Sequence, residues 1–369
     1  MSYLSIQNDL QTKRPGKRIL ELDALRCFAA LNLMAFHFTH VYDVKFGYVQ
    51  SLGFEWPYGA YGVELFFILS GYVNSMSLLK RQDTTNFLAA RMIRIVPIFL
   101  IALLFNFAVV RLAPHDGVAI SGSQWLANVT LMPGIFGHEC IDPVMWTLQV
   151  ELLFYIAIVV MYRGGLLNHF AKGWGVMIAL SLVLCPLLDS VAPAQSGTMW
   201  FMFASSIRRI LFLDYAPLFA IGYLLYQIRA GRGSRIQSVG WMILSAAVFH
   251  MIDHGKHNPL ATLLIVGCVF AAGLGRIPPL RWKPLAYISA ISYPIYLFHN
   301  NLGCAVIHHF NHAGVPSIVC LAIAVVLSVA VAALATHRIE KPITAYLGTV
   351  VKRWVKPRVE GKPIEITVA

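Results

Sequence analysis

The chain has 369 residues, 58% of them hydrophobic and 12% charged, against about 25% charged in a soluble globular domain. Mean hydropathy is +0.66 over the whole length, so the apolar excess is no single anchor; a soluble enzyme is excluded and the bilayer is the expected solvent. The net charge of +12, from 29 Lys and Arg against 17 Asp and Glu, would suit nucleic acid, anionic lipid or an acidic substrate by composition. In a membrane protein, however, Lys and Arg report cytoplasmic loops first, and no nucleic-acid partner is expected.

The first segment, residues 1–20, is basic through Lys13, Arg14, Lys17 and Arg18. The stretch that follows carries Asp23 and Arg26 and lacks a small-residue cleavage site, so it reads as a retained helix and not a signal peptide. Spans are predicted near residues 21–40, 60–79, 92–112, 144–162, 174–191, 209–228, 237–252, 260–275, 285–306 and 316–336. The fold class is an all-α, polytopic membrane bundle of about ten helices. Five of the six cysteines fall in apolar stretches and Cys140 in a loop; there is no disulfide framework and no C-x-x-C metal motif.

With an inside N-terminus, alternation leaves only Lys45, Arg111, Arg208, Arg209 and Lys256 outside and Arg26 within the first helix. Every other Lys and Arg falls in or beside a cytoplasmic segment. Both termini are therefore expected in the cytoplasm, with the tail from Lys352 to Arg358 against the anionic inner leaflet. Residues 113–143, punctuated by Pro114, Gly117, Gly122, Pro133, Gly134 and Gly137, form the longest external loop; it is either a cover over a site or a passive connector.

A charge inside hydrocarbon costs from ~3 to more than ~10 kcal/mol, so such residues face a cavity or a partner. Arg26 and His37 lie eleven positions apart, roughly 20° apart around a helix and ~16 Å along it, on one face. Asp23 precedes Arg26 on the same side. Taken singly, Arg26 could snorkel and His37 could be a hydrogen-bonded core histidine; taken together they mark the lining of a polar cavity. Arg91 and Arg94, at i and i+3, open the third helix, as a positive-inside flank or as a pair of planar donors for phosphate. Glu151 is expected in the outer half of helix four, Glu64 near the outer end of helix two, and His299 past the middle of helix nine, after a Pro294 kink. Gly62, Ser70 and Gly71 read as close-packing residues. The clusters His250, His254, His257 and His308, His309, His312 have spacings that zinc could use but lack Cys or carboxylate partners, so no metal is expected and they read as interfacial loop histidines.

By depth, Arg26, Arg91, Arg94 and Glu340-Lys341 form an inner tier suited to an anion. His37, Glu64, Glu151 and His299 form an outer tier suited to proton transfer from a hydroxyl. A donor with phosphates at one end and a reactive group on a long arm could use both tiers, and acyl-CoA is such a molecule.

The sequence resembles the membrane acyltransferase-3 family of polysaccharide and lipid O-acyltransferases. The likeness is carried by Leu22 to Arg26 followed after ten positions by His37, by Gly62 to Tyr72, Arg91 to Pro97, Trp146 to Tyr155, Ile291 to His299, and Glu340-Lys341-Pro342. These motifs run in family order across nearly the whole chain. Where the family commonly has Ser-Val-Glu-Glu, this chain has Gln149-Val150-Glu151-Leu152, so only the first Glu carries over, and Glu64 stands where Asp is frequent. The resemblance implies a membrane domain at 21–342 with a cytoplasmic tail at 343–369. It also implies the bare membrane domain, any further step being supplied by a separate protein.

The implied reaction moves an acyl group, usually acetyl, from cytoplasmic acyl-CoA as co-substrate to a hydroxyl of a carbohydrate or glycolipid at the outer face of a bacterial inner membrane. Arg26, Arg91 and Arg94 are assigned to CoA phosphates and His37 to general base or transient acyl carrier. Glu151 is assigned to orienting His37, with Asp23, Glu64 and His299 in support. Two other classes use similar residues: a transporter or flippase for an anionic lipid-linked glycan, against which no internal repeat is seen, and a non-catalytic lipid sensor, which leaves His37 unexplained. The charge pattern predicts that a C-terminal reporter fusion is active in the cytoplasm and silent outside; the reverse activity overturns the topology.

Overall fold

The computed structural model describes residues 19–114, 120–191 and 199–354. The basic N-terminal residues and the side chains of the Lys352–Arg358 cluster lie outside them. Among the described residues every regular element is helical, and the chain is an all-α integral membrane protein. In order these are α1 (Leu20–Phe36), a π-helical turn (His37–Val41), α2 (Tyr42–Phe46), α3 (Tyr61–Arg81), α4 (Thr84–Leu112), α5 (Gly122–Val129), α6 (Trp146–Arg163) and α7 (Val176–Val191). Then come α8 (Met199–Ile210), α9 (Ala216–Ala230), α10 (Arg235–Ile252), α11 (Pro259–Gly273), α12 (Lys283–His312) and α13 (Ser317–Ala335). A second π turn (Thr336–Glu340) leads into α14 (Lys341–Trp354).

Among the described residues six helical segments are long and apolar enough to cross a bilayer: Pro57–Lys80, Thr84–Leu112, Pro143–Arg163, Ala171–Ser190, Arg235–Ile252 and Ser317–Val351. The helices α1 and α12 are not among them; they carry buried polar side chains, including Asp23 on α1 and His299, Asn300 and Asn301 on α12.

Several boundaries differ from the sequence reading for local reasons. The third span begins at Thr84, where the Asp83 side chain caps the helix by accepting from Asn86 N at 2.9 Å. Arg91 and Arg94 consequently sit about two turns inside α4 and not at its entrance. The span expected at 209–228 is broken: α8 ends at Ile210 and α9 starts at Ala216, with Asp214 in the intervening turn held by Arg208. The helix expected at 285–306 runs from Lys283 to His312, so His308, His309 and His312 are helical and not loop residues. Residues 120–145 contain α5 and two 3-10 turns and so make a folded cap.

The core is built from α3 and α9 on one side and from α1, α12 and α13 on the other. Along α9 every residue from Ala216 to Tyr226 is buried, as expected of a helix surrounded by others. It can approach α3 so closely because glycines meet there: a Cβ on Gly71 would lie 2.3 Å from the Phe219 carbonyl oxygen, and one on Gly222 2.1 Å from that of Ile68. Gly71 is thus a packing residue, as the sequence suggests. At the end where α1 begins, here the proximal end, Arg281 bonds Glu21 at 2.6 Å. At the distal end Asn311 Oδ1 accepts from Val49 N at 2.7 Å.

Gly222→Ala is expected to destabilise the protein by about 1–3 kcal/mol through overpacking, read as a lowered Tm in detergent. Gly240→Ala on α10, where an added Cβ meets nothing within 4 Å, should leave Tm unchanged or slightly raised.

Candidate active site

Two spaces lie between α1, α3, α4, α6 and α12. The proximal cleft, about 1930 Å³ with its open mouth, is lined by Asp23 and Arg26, Ser77 and Lys80, Arg91 and Arg94, Ser289, and Glu340-Lys341. The deeper space, about 850 Å³ when its mouth is likewise counted, is lined by the same three arginines with Ser70, Asn74, Thr147, Glu151, Tyr155, Ser292, Tyr293 and Tyr296. Arg26, Arg91 and Arg94 therefore form the neck that both spaces share. Arg91 lies over the rings of Phe87 and Tyr155, at 5.4 and 5.8 Å from their centroids, which fixes a long side chain by cation–π contact. Among the described residues, neither Arg26 nor Arg94 donates a hydrogen bond to the protein, so guanidinium donors face the lumen.

Glu151 accepts from Ser70 Oγ at 3.0 Å and from the Tyr155 hydroxyl, one turn along the same helix. Ser70 Oγ in turn accepts from Asn74 Nδ2 at 2.8 Å. The carboxylate belongs with the arginines in the deeper cavity. This corrects two expectations: Glu151 is not in a separate outer tier with His37, and Ser70 is a site residue and not only a packing residue.

His37 opens the π turn after α1. The wider turn is stabilised by Thr39, whose hydroxyl donates to Ala35 O at 2.7 Å and accepts from Trp56 N at 3.0 Å; such bulges recur at functional sites. The partner of His37 is His299: His37 Nδ1 lies 2.9 Å from His299 Nε2. His299 is 1% exposed, and its Nδ1 lies 3.0 Å from the carbonyl oxygens of both Ile295 and Tyr296. Neither histidine lines either space; the Tyr296 ring, which lines the deeper cavity, lies 6.2 Å from that of His299. The expectation that Glu151 orients His37 is thus replaced by a histidine pair.

Glu64 stands apart. It accepts from Thr262 Oγ1 at 2.7 Å and lies 3.7 Å from His257 Nε2, while Asp253 holds His257 Nδ1 at 2.8 Å. It lines neither space, which corrects its place beside His37. His254 binds Asp189 at 3.0 Å. Among the described residues no group of three His, Cys, Asp or Glu is arranged to hold a metal.

The distal cap is tied to α12 at the residues flanking His299. Asp142, fully buried, accepts from Val144 N at 3.1 Å and from Asn300 Nδ2 at 2.9 Å, and Asn301 donates to Ile141 O. Burial pushes the Asp142 carboxyl up to about 6, against the lowering effect of those hydrogen bonds. The reading of residues 113–143 as a passive connector therefore fails for the described part.

Sequence reasoning assigned no role to Tyr155, Tyr293, Tyr296, Thr147 or Lys80. Spacing carried the signal for most of them: Glu151 and Tyr155 are i and i+4, and Ser289, Ser292, Tyr293, Tyr296 and His299 fall on one stripe of α12.

A polytopic helical bundle with an arginine-necked cavity and a part-buried histidine pair beyond it defines a candidate transferase site. Residues 19–337 match the family described as an acyltransferase domain, and the chain belongs to this acyltransferase-3 family. It is an O-acyltransferase. The chain is similar to nodulation protein 10 of Rhizobium leguminosarum bv. viciae, 25% identical over 75% of this chain and 81% of that one. It is similar to the exopolysaccharide production protein ExoZ of Rhizobium meliloti, 25% identical over 68% and 78%. It also resembles the O-acetyltransferase OatA of Staphylococcus aureus, 23% identical over 87% of this chain and 56% of that one. No solved structure matches it.

Asn300→Leu strips Asp142 of its side-chain donor and should cost about 1–3 kcal/mol. Faster amide exchange confined to residues 120–145 is the expected result, and unchanged exchange there would show that this bond does not hold the cap.

Proposed function

We propose that the chain transfers an acyl group, acetyl in the first instance, from cytoplasmic acyl-CoA to a hydroxyl of a carbohydrate or glycolipid at the outer face of a bacterial inner membrane. The observation that carries this reading is the arginine-lined neck shared by two spaces, with a histidine pair about 16 Å further along α1 and Tyr296 bordering both the deeper cavity and His299. Family membership favours transfer chemistry over transport, and relatives named for exopolysaccharide production and O-acetyl transfer support a glycan acceptor and an acetyl donor.

In this reading the proximal cleft faces the cytoplasm with both chain termini. The donor's phosphates meet Arg26, Arg91 and Arg94, with Lys80 and Lys341 at the mouth. Guanidinium forks suit phosphate oxygens, and in a low-dielectric neck those charge-assisted bonds are strong. The acyl-bearing arm then occupies the deeper cavity, past Tyr293 and Tyr296, so that the thioester reaches His37. His37 takes the acceptor hydroxyl's proton as that oxygen attacks the acyl carbon. Glu151 limits the positive charge of the neck and keeps Arg91 and Arg94 turned inward.

The test is label transfer from [14C]acetyl-CoA to the glycans of membrane vesicles carrying the full chain. His37→Ala should lower turnover by about 100-fold or more with acetyl-CoA binding intact. Arg94→Ala should instead raise the KM for acetyl-CoA about 10-fold or more, the loss of a charged hydrogen bond. Near-normal transfer in a folded His37→Ala protein would end the catalytic assignment, and unchanged KM in Arg94→Ala would end the phosphate assignment.

A further inference from the structure

The two histidines define each other's protonation. His299 Nδ1 is 3.0 Å from two backbone carbonyl oxygens, those of Ile295 and Tyr296. A carbonyl oxygen can only accept, so Nδ1 is the nitrogen that carries hydrogen. Neutral His299 then has a bare Nε2, and that atom faces His37 Nδ1 at 2.9 Å. One of two facing nitrogens must donate, so His37 Nδ1 carries hydrogen and its lone pair sits on Nε2.

We infer that His299 is a positioning residue: it holds His37 in the Nδ1–H tautomer and aims the bare Nε2 at the acceptor hydroxyl. This inference rests on the reading of His37 as the base. The arrangement does for His37 what a carboxylate does in a serine hydrolase, orienting the ring and choosing its tautomer, but with a neutral group. Among the described residues no carboxylate takes part in the pair: the ionisable group acting on His37 is His299, its ring is also hydrogen-bonded to the Leu33 backbone one turn back, and His299 is otherwise held by the two carbonyls of its own helix. Tyr296, next along α12, turns its hydroxyl to Val144 O and Thr147 instead.

The step balances without a further reactant. The acceptor O–H proton goes to His37 Nε2 as the oxygen forms a bond to the acyl carbon of the thioester, the C–S bond breaks, and the thiolate leaves. The imidazolium so formed shares its Nδ1 proton with His299 Nε2, whose far side is stabilised by the carbonyl dipoles of Ile295 and Tyr296. The proton on His37 Nε2 then passes to the thiolate and restores the starting pair.

The experiment compares His299→Leu, His299→Gln and His299→Glu in the full chain, using [14C]acetyl-CoA and the same membrane glycans. Leu removes the side-chain acceptor for His37 Nδ1, leaving the ring only its backbone partner Leu33, and should lower kcat about 100-fold while KM for acetyl-CoA stays within about twofold. Gln offers an oxygen to His37 and an N–H to the carbonyls, so it should recover at least about tenfold over Leu. Glu should move the acidic limb of the kcat–pH profile upward by about one unit, because an anion favours the protonated base. A Leu variant with the kcat and pH profile of the unaltered protein overturns the inference, and so does equal loss in Leu and Gln at an unmoved pH limb. The underlying reading fails separately: active His37→Ala removes the base, whereas inactive His37→Ala with fully active His299→Leu removes only the positioning role.

Discussion

The architecture depends on the cost of placing guanidinium groups where the surroundings are hydrocarbon. Three arginines in the middle of a bundle would be prohibitive if each faced lipid, at ~3 to more than ~10 kcal/mol apiece. They are tolerable because α1, α4, α6 and α12 turn their polar stripes toward one another. Arg91 is packed between two aromatic rings, Glu151 supplies a carboxylate in the same cavity, and Ser70 with Tyr155 holds that carboxylate in place. The neck is polar, and its rim is contributed by helices that could not be moved outward without exposing charge to lipid.

That constraint explains which helices are apolar all round and which are not. Three of the apolar spans, Ala171–Ser190, Arg235–Ile252 and Ser317–Val351, are mostly unburied in the bundle, while α1 and α12 give up apolar positions to line the interior. Close approach elsewhere compensates. The α3–α9 contact, where glycines let two backbones meet, buries α9 on all sides and gives the polar helices a rigid wall.

Much of this was legible in the sequence, because charges in an apolar context stand out. Arg26, His37, Arg91, Arg94, Glu151 and His299 were all found by that rule, and the order of motifs gave the family. The rule could not supply partners. It ranked residues by depth along ideal, straight spans, and three local events changed the depths: the Asp83 cap lengthened α4 proximally, the Arg208–Asp214 pair broke the sixth span, and the π turn at His37 altered the helical phase. A carboxylate and a histidine at similar nominal depth were therefore paired on paper, although they project from helices whose facing stripes differ. Tyr293 and Tyr296 were overlooked for another reason: uncharged and amphipathic, they resemble core aromatics until the stripe they share with His299 is drawn.

The outcome is a segregation of charge along one column. The proximal neck is cationic and suits a donor that brings its own negative charge. The distal histidine pair stands beside a cap whose buried acid is already committed to Val144 and Asn300. A carboxylate beside His37 would strengthen the base, but it would also add a buried charge, which costs more than a hydrogen-bonded neutral group in the same place. A histidine orients the ring through a neutral hydrogen bond and accepts charge only while the acceptor's proton is in transit. The absence of Glu151 from the pair thus follows from the same electrostatic constraint that seats it among the arginines.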